Sequence, residues 1–148
     1  GFDAAVNYRT AGDLHEALRQ ACPGGVDVYF ENVGGAVLDA VLRCLNPFAR
    51  IPLCGMISQY NLETPEPGPR YLFSMVGNRV LMQGFIIGDH FDRYPEFLRE
   101  AGAWLKAGRL KHQETIVEGI ENAPRAFLGL FKGDNVGKML VKIGPEDG

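Results

Sequence analysis

Val26-Asp27-Val28-Tyr29-Phe30-Glu31-Asn32-Val33-Gly34-Gly35 is the stretch on which the fold turns. Residues 26–30 form a compact apolar run broken only by Asp27, which suits a buried parallel strand. Val33-Gly34-Gly35 then turns into a helix with an apolar face of Val37, Leu38, Val41, Leu42 and Leu45. Asn46-Pro47 is expected to close that helix, because a residue before proline is driven out of helical backbone. Residues 49–54 read as the next strand, with Gly55 directly after it. Strand, glycine turn, helix and strand make a parallel βαβ unit, so the first expectation is an α/β fold.

The pattern continues outward from this centre. Upstream, residues 4–8 read as a short strand. Asp13 and Glu16 form a capping-box pair ahead of Leu14, Ala17, Leu18 and Ala21 at helical spacing, and Pro23-Gly24-Gly25 stops that helix. Downstream, residues 59–70 hold three prolines among polar residues and read as a loop, long enough to be functional. Residues 80–87 are a further strand, interrupted by Gln83 and Gly84. A helix runs from Asp92 to about Ala107 with Pro95 in its first turn and Phe97, Leu98, Ala101 and Leu105 facing inward. Residues 113–118 are a strand. Asn122 caps a last helix with Pro124 near its start, Gly133-Asp134 stops it, and residues 138–143 are a terminal strand.

Composition bounds the function. The 148 residues are 46% hydrophobic and 22% charged, a globular balance and not that of a disordered chain. With 15 Lys+Arg against 18 Asp+Glu, the net charge of -3 gives no electrostatic reason to expect nucleic acid or an anionic membrane as a partner. The longest apolar stretches, such as residues 84–88, are far too short to cross a bilayer. Cys22, Cys44 and Cys54 are odd in number, widely spaced and remote in sequence from His15, His90 and His112. They read as reduced thiols of a cytoplasmic protein, and no metal site is expected.

In a parallel α/β sheet, ligands bind beyond the carboxyl ends of the strands. Three such ends carry glycine or small polar residues, where backbone can approach a ligand: residues 31–35, 54–58 and 84–87. Taken alone, Asn32 is equally a turn residue or a ligand, Cys54 a small buried hydrophobe, Tyr60 a loop tyrosine and Asn135 a helix terminator.

The order and spacing of four segments resemble the medium-chain dehydrogenase/reductase superfamily. They are the opening stretch, Arg50-Ile51-Pro52-Leu53-Cys54-Gly55-Met56-Ile57-Ser58-Gln59-Tyr60-Asn61, Ile116-Val117-Glu118-Gly119-Ile120-Glu121-Asn122-Ala123-Pro124 and Gly133-Asp134-Asn135-Val136-Gly137-Lys138. Within the superfamily they are similar to the zinc-independent, NADPH-dependent branch of prostaglandin, curcumin and alkenal reductases. The resemblance covers essentially the whole chain. Its one departure is Glu31, where the family's segment usually has Asp.

This resemblance implies the C-terminal part of a Rossmann-type parallel sheet over residues 1–108, then a segment, 109–148, that returns to the catalytic domain. It implies that Tyr8 lies against the adenosine half of NADPH and Asn32 beside the nicotinamide ribose. Cys54, Gly55, Ile57, Ser58 and Tyr60 would wrap the nicotinamide side, Phe85, Ile86 and Ile87 would meet the carboxamide, and Asn135 would reach back to the cofactor. Tyr60 is the implied catalytic residue, because hydride transfer to an enone leaves negative charge on the carbonyl oxygen that a hydroxyl can stabilise. The implied activity is reduction of carbon–carbon double bonds in α,β-unsaturated ketones and aldehydes, with a small enone or enal as partner and a homodimer when full length.

The chain opens on Gly-Phe-Asp without Met and shows no Gly-x-Gly-x-x-Gly fingerprint, so it reads as a truncated piece of a two-domain enzyme of roughly 300 residues. In the strand order 3-2-1-4-5-6, residues 4–8 would be strand 3, and exposed edges and apolar surface are expected. Alone, such a piece would bind NADPH poorly. Two alternatives stay open: a quinone oxidoreductase of the same superfamily, and a non-catalytic α/β interaction module.

Overall fold

The computed structural model describes residues 1–145. It divides into two compact units, Gly1–Phe91 and a second beginning at Asp92.

The first unit is built around α2 (Gly35–Leu42) and β2 (Leu45–Leu53), with α1 (Leu14–Ala21) and β1 (Val26–Val28) before them and α3 (Ser74–Asn78) and β3 (Leu81–Gly84) after. The sheet is parallel throughout, in the order β1-β2-β3. That is how strands 4, 5 and 6 of a Rossmann-type sheet follow one another. The core is Leu38, Val41 and Leu42 from α2 packed on Leu45, Ala49 and Ile51 from β2. Each fully buried Leu or Ile stabilises the unit by about 2 kcal/mol. α1 forms as its sequence dictates: Asp13 Oδ1 accepts from the Glu16 N–H at 3.2 Å, the first half of the capping box. β1 and β3 are the sheet's edges, and Val28 and Leu81 on them are exposed, as an unpaired edge implies.

Four details differ from the sequence reading. Residues 4–8 form no strand. Their residue types favour extended backbone, but a strand needs a ladder, and the third strand of the order 3-2-1-4-5-6 pairs only with the second, a place that no strand among the described residues fills. Asn46-Pro47 does not close α2, which stops at Leu42; both residues lie inside β2. There the ladder jumps from Val26 opposite Leu45 to Val28 opposite Arg50, a bulge that tolerates a proline without an N–H to donate. Phe48, at φ 65°, stands in the same bulge under the Arg79 guanidinium, 4.5 Å above its ring. α3 has no counterpart in the reading. It is one turn long, too short to show periodicity, and is pinned by Ser74 Oγ donating to Leu42 O (2.9 Å) and Asn78 Nδ2 donating to Leu45 O (3.1 Å). Finally, β3 ends at Gly84 and not at Ile87, because its partner β2 ends at Leu53; a kinked 3-10 segment, Ile87–Arg93, follows.

The second unit contains α4 (Tyr94–Lys106), β4 (Glu114–Glu118), α5 (Ala123–Leu130) and β5 (Lys138–Lys142). β4 and β5 pair in parallel and in register, joined through α5 as a βαβ crossover. The α4 face expected inward is not buried: Ala101 is, but Phe97 is 57% exposed, and Leu98 and Leu105 are exposed too. The amphipathic pattern makes the helix, while burial needs a covering layer that β4, α5 and β5 do not supply. Asn122 precedes α5 as expected, but its side chain caps nothing. It donates back to Glu118 O at 2.8 Å.

Candidate functional site

Because β1, β2 and β3 run in parallel, their carboxyl ends emerge at one end of the sheet. β1 passes into its turn through Glu31. The Glu31 N–H donates to Pro52 O (3.0 Å), and its carbonyl accepts from the N–H groups of Cys54 (2.9 Å) and Gly55 (3.1 Å). The side chain is fully buried. Its Oε1 accepts from the Tyr29 hydroxyl (3.0 Å), the Val33 N–H (2.5 Å) and the Gly34 N–H (2.9 Å); among the described residues no group donates to Oε2. Burial, and after it the charge and hydrogen bond of Glu31, hold the Tyr29 phenol well above the ordinary tyrosine range, so it stays a donor.

The two amides lie where α2 begins. Gly34, the residue before α2, has no side chain, and the helix has no side-chain cap; the Glu31 carboxylate binds one step earlier, at the Val33 and Gly34 N–H groups that lead into it. Successive amides at a helix start would ordinarily suit a phosphate. Here they are satisfied from inside the protein. Gly34 adopts φ 74° and ψ -161°, backbone open to glycine almost alone, and a Cβ on it would stand 2.9 Å from the Met56 side chain.

The turn after β2 lies directly on the turn after β1. Ile57 N–H donates to Asn32 O and Ser58 N–H to Val33 O, both at 3.0 Å. The Tyr60 hydroxyl oxygen accepts from the Met56 N–H at 2.8 Å, although the ring is 63% exposed. Its approach requires Gly55, since a Cβ there would lie 2.8 Å from that hydroxyl. With its oxygen engaged as acceptor, the hydroxyl keeps its proton for another group, and accepting polarises the O–H further. The third strand end joins through the Phe85 N–H, which donates to Leu53 O (3.3 Å), and through the edge-to-face pair of Phe30 and Phe85. Ile57, Ile86 and Ile87 are exposed and apolar.

The structure therefore brings together Asn32, Cys54, Gly55, Ile57, Ser58 and Tyr60, with Phe85, Ile86 and Ile87 just beyond the end of the adjoining strand. Cys54 is exposed, and so is not the buried hydrophobe it resembles in isolation. Tyr8 lies in an exposed turn of its own with the Arg9 guanidinium 5.8 Å over its ring. Asn135 belongs to the second unit, where its Nδ2 donates to Gly137 O at 2.6 Å. Glu31 and Tyr29 escaped the sequence reading. The available signal was an acid at the end of an apolar strand, two and three residues before the amides it binds. A separate cavity of about 770 Å³ lies between α1, α2 and residues 59–70, lined by His15, Asp39, Arg43, Glu66 and Arg70. It meets the strand-end turns only at Gly35, Met56 and Gln59, and its charges are of both signs.

Comparison with known proteins agrees with this geometry. The chain is 56% identical over 144 residues to YfmJ of Bacillus subtilis, an alignment covering 96% of this chain and 42% of YfmJ. It is 45% identical to the NADPH-dependent curcumin reductase of Escherichia coli, covering 99% of this chain and 44% of the reductase. The crystal structure of CurA from Vibrio vulnificus in complex with NADPH is similar at a TM-score of 0.88 and 46% identity, over 99% of this chain and 44% of CurA. The chain thus spans less than half the length of these relatives. Among the described residues, no group of three or more His, Cys, Asp or Glu could hold a metal ion. No helix among them is long and apolar enough to cross a membrane. Residues 1–103 match the zinc-binding dehydrogenase family, and with the parallel sheet and strand-end turns just described the chain belongs to that family.

Proposed function

We propose that the protein carrying this chain is an NADPH-dependent reductase of the carbon–carbon double bond in α,β-unsaturated ketones and aldehydes. One observation carries the reading: the Tyr60 hydroxyl, held by the Met56 N–H at 2.8 Å, keeps its own proton for donation beside the strand ends. The surroundings fit the nicotinamide half of the cofactor. Exposed Ile57, Ile86 and Ile87 offer apolar surface to a flat ring, and Asn32 offers an amide that both donates and accepts. They do not fit its phosphates, because the amides before α2 are already taken by Glu31.

In this reading the backbone of residues 54–58 runs along the nicotinamide, Phe85, Ile86 and Ile87 meet the carboxamide, Tyr8 serves the adenosine end and Asn135 is a further cofactor contact. The bound cofactor supplies a hydride to the β-carbon of the substrate. The electron pair of the double bond then moves onto the carbonyl oxygen as an enolate, and a solvent proton completes the α-carbon. Tyr60 donates its hydrogen bond to that oxygen, a part that needs no zinc. The curcumin and alkenal reductases among the relatives support this substrate class. The same reading makes the whole protein a cytoplasmic homodimer.

The test is steady-state kinetics of the full-length protein with an α,β-unsaturated ketone at saturating NADPH. Tyr60→Phe is expected to lower kcat about tenfold, or about 1.4 kcal/mol, with KM for NADPH little changed. Unchanged kcat with a raised substrate KM would make Tyr60 a binding contact only. Reduction of quinones with no turnover of enones would replace the substrate class.

A further inference from the structure

Glu31 is fully buried and carries a carboxylate that the proposed chemistry does not use. Its backbone and side chain act in two directions. The backbone clasps β2 through Pro52, Cys54 and Gly55, and the side chain reaches forward to Val33 and Gly34. Between those two clasps stands one exposed residue, Asn32, whose carbonyl in turn holds the Ile57 N–H. The conformation of Asn32 is therefore bounded by Glu31 on both sides. A buried carboxylate with one oxygen that no group among the described residues meets carries a desolvation cost that its hydrogen bonds do not fully offset. Such a cost is understandable where the group fixes a functional turn.

We propose that Glu31 is a positioning residue of the cofactor site: an internal acceptor that fills the amide nest ahead of α2 and thereby sets the angle at which Asn32 is presented. Two consequences separate this from a purely structural role. First, removing the acceptor should act on cofactor affinity ahead of the chemical step, because the turn next to Asn32 loosens while Tyr60 keeps its own anchor on Met56. Second, any residue supplying an oxygen at the same place should restore the turn. Gln keeps the length and an acceptor. Asp can make the shorter turn in which a carboxylate binds amides two and three residues ahead. Met keeps the length and offers no acceptor.

The inference rests on the reading of this site as an NADPH site, and the test keeps the two apart. In the full-length protein, KM for NADPH and kcat are compared for wild type, Asn32→Ala and Glu31→Met, Glu31→Gln and Glu31→Asp, with thermal unfolding of each. Glu31→Met is expected to raise KM for NADPH at least tenfold, to the level of Asn32→Ala, with kcat at saturating NADPH within about twofold of wild type. Glu31→Gln and Glu31→Asp are expected to stay within about threefold of the wild-type KM. A Glu31→Met protein with a lowered Tm but wild-type KM and kcat would make Glu31 structural and overturn the proposal. So would failure of both oxygen-bearing variants to rescue. Should Glu31→Met not fold, amide hydrogen exchange of the wild type decides: Val33 and Gly34 must be protected, and exchange as fast as in the 59–70 loop overturns the proposal. If the wild type shows no saturable response to NADPH, the cofactor reading fails before any variant is compared.

Discussion

At the end of β1 the chain is held from beneath, by a carboxylate that is fully buried and bonded to two amides and a phenol. At the end of β2 it is held from outside, by a tyrosine hydroxyl that accepts a single amide while most of the ring faces solvent. The two turns touch and share four backbone hydrogen bonds, yet their anchors differ in kind. A buried polar anchor cannot be replaced by water, so losing it should disturb fold and site together. An exposed anchor can be replaced by water at little cost, so its loss should show in chemistry and hardly in stability.

The largest effect is expected at Gly34. Gly34→Ala forces a side chain onto backbone at φ 74° and pushes it into Met56, breaking the face along which the two turns meet. Urea unfolding should show a loss of about 1–3 kcal/mol. A loss under about 0.5 kcal/mol, as at an ordinary surface position, would mean that the β1 turn is not fixed in this conformation.

Gly55→Ala probes the other anchor. Its new Cβ would stand 2.8 Å from the Tyr60 hydroxyl, the far end of an exposed side chain that can swing away. Stability should change by less than about 1 kcal/mol. kcat should fall as far as in Tyr60→Phe, and the double variant should be no slower than either single one, because both remove the same donor. Additive losses of kcat would show that Gly55 matters for something besides Tyr60.

The smallest effect is expected at Tyr29. Its phenol is raised above the ordinary tyrosine value in the folded protein, so the unfolded chain releases that proton first as pH rises. The contribution to stability is fully present below about pH 10 and is lost above it, as the pH climbs towards the folded value. Tyr29→Phe should cost about 1 kcal/mol near neutral pH, for one hydrogen bond, and its difference from wild type should shrink above about pH 10. A difference independent of pH would detach Tyr29 from the Glu31 cluster.

These contrasts also mark what the sequence could reveal. The parallel α/β architecture, α1 with its Asp13 cap, the long loop of residues 59–70 and the strand ends were legible, because periodicity and glycine placement are local properties of the chain. The presence of α4 was legible and its burial was not: a stripe of Phe97, Leu98 and Leu105 says which face is apolar, not what covers it. Residues 4–8 failed for a related reason, since a ladder partner is a property of topology. Pro47 carries a helix-end signal in its neighbourhood but stands in a bulge, and a bulge depends on the opposite strand. Within the site, Asn32 and Tyr60 stood out by residue type and company. Glu31 read as a minor replacement of Asp, and only its burial reveals how much converges on it.

The core beneath these turns lies within a short run of chain. Leu38, Val41, Leu42, Leu45, Ala49 and Ile51 come from consecutive elements joined by Arg43 and Cys44 alone. Bringing that helix onto that strand closes almost no loop, so the hydrophobic gain is opposed by little chain entropy. Of the three strand ends, that of β1 runs straight into α2 and that of β2 straight out of the core strand, while that of β3 is recruited across residues 54–80. The platform and its first two turns are thus entropically inexpensive, and the greater share of the ordering cost falls on bringing in β3.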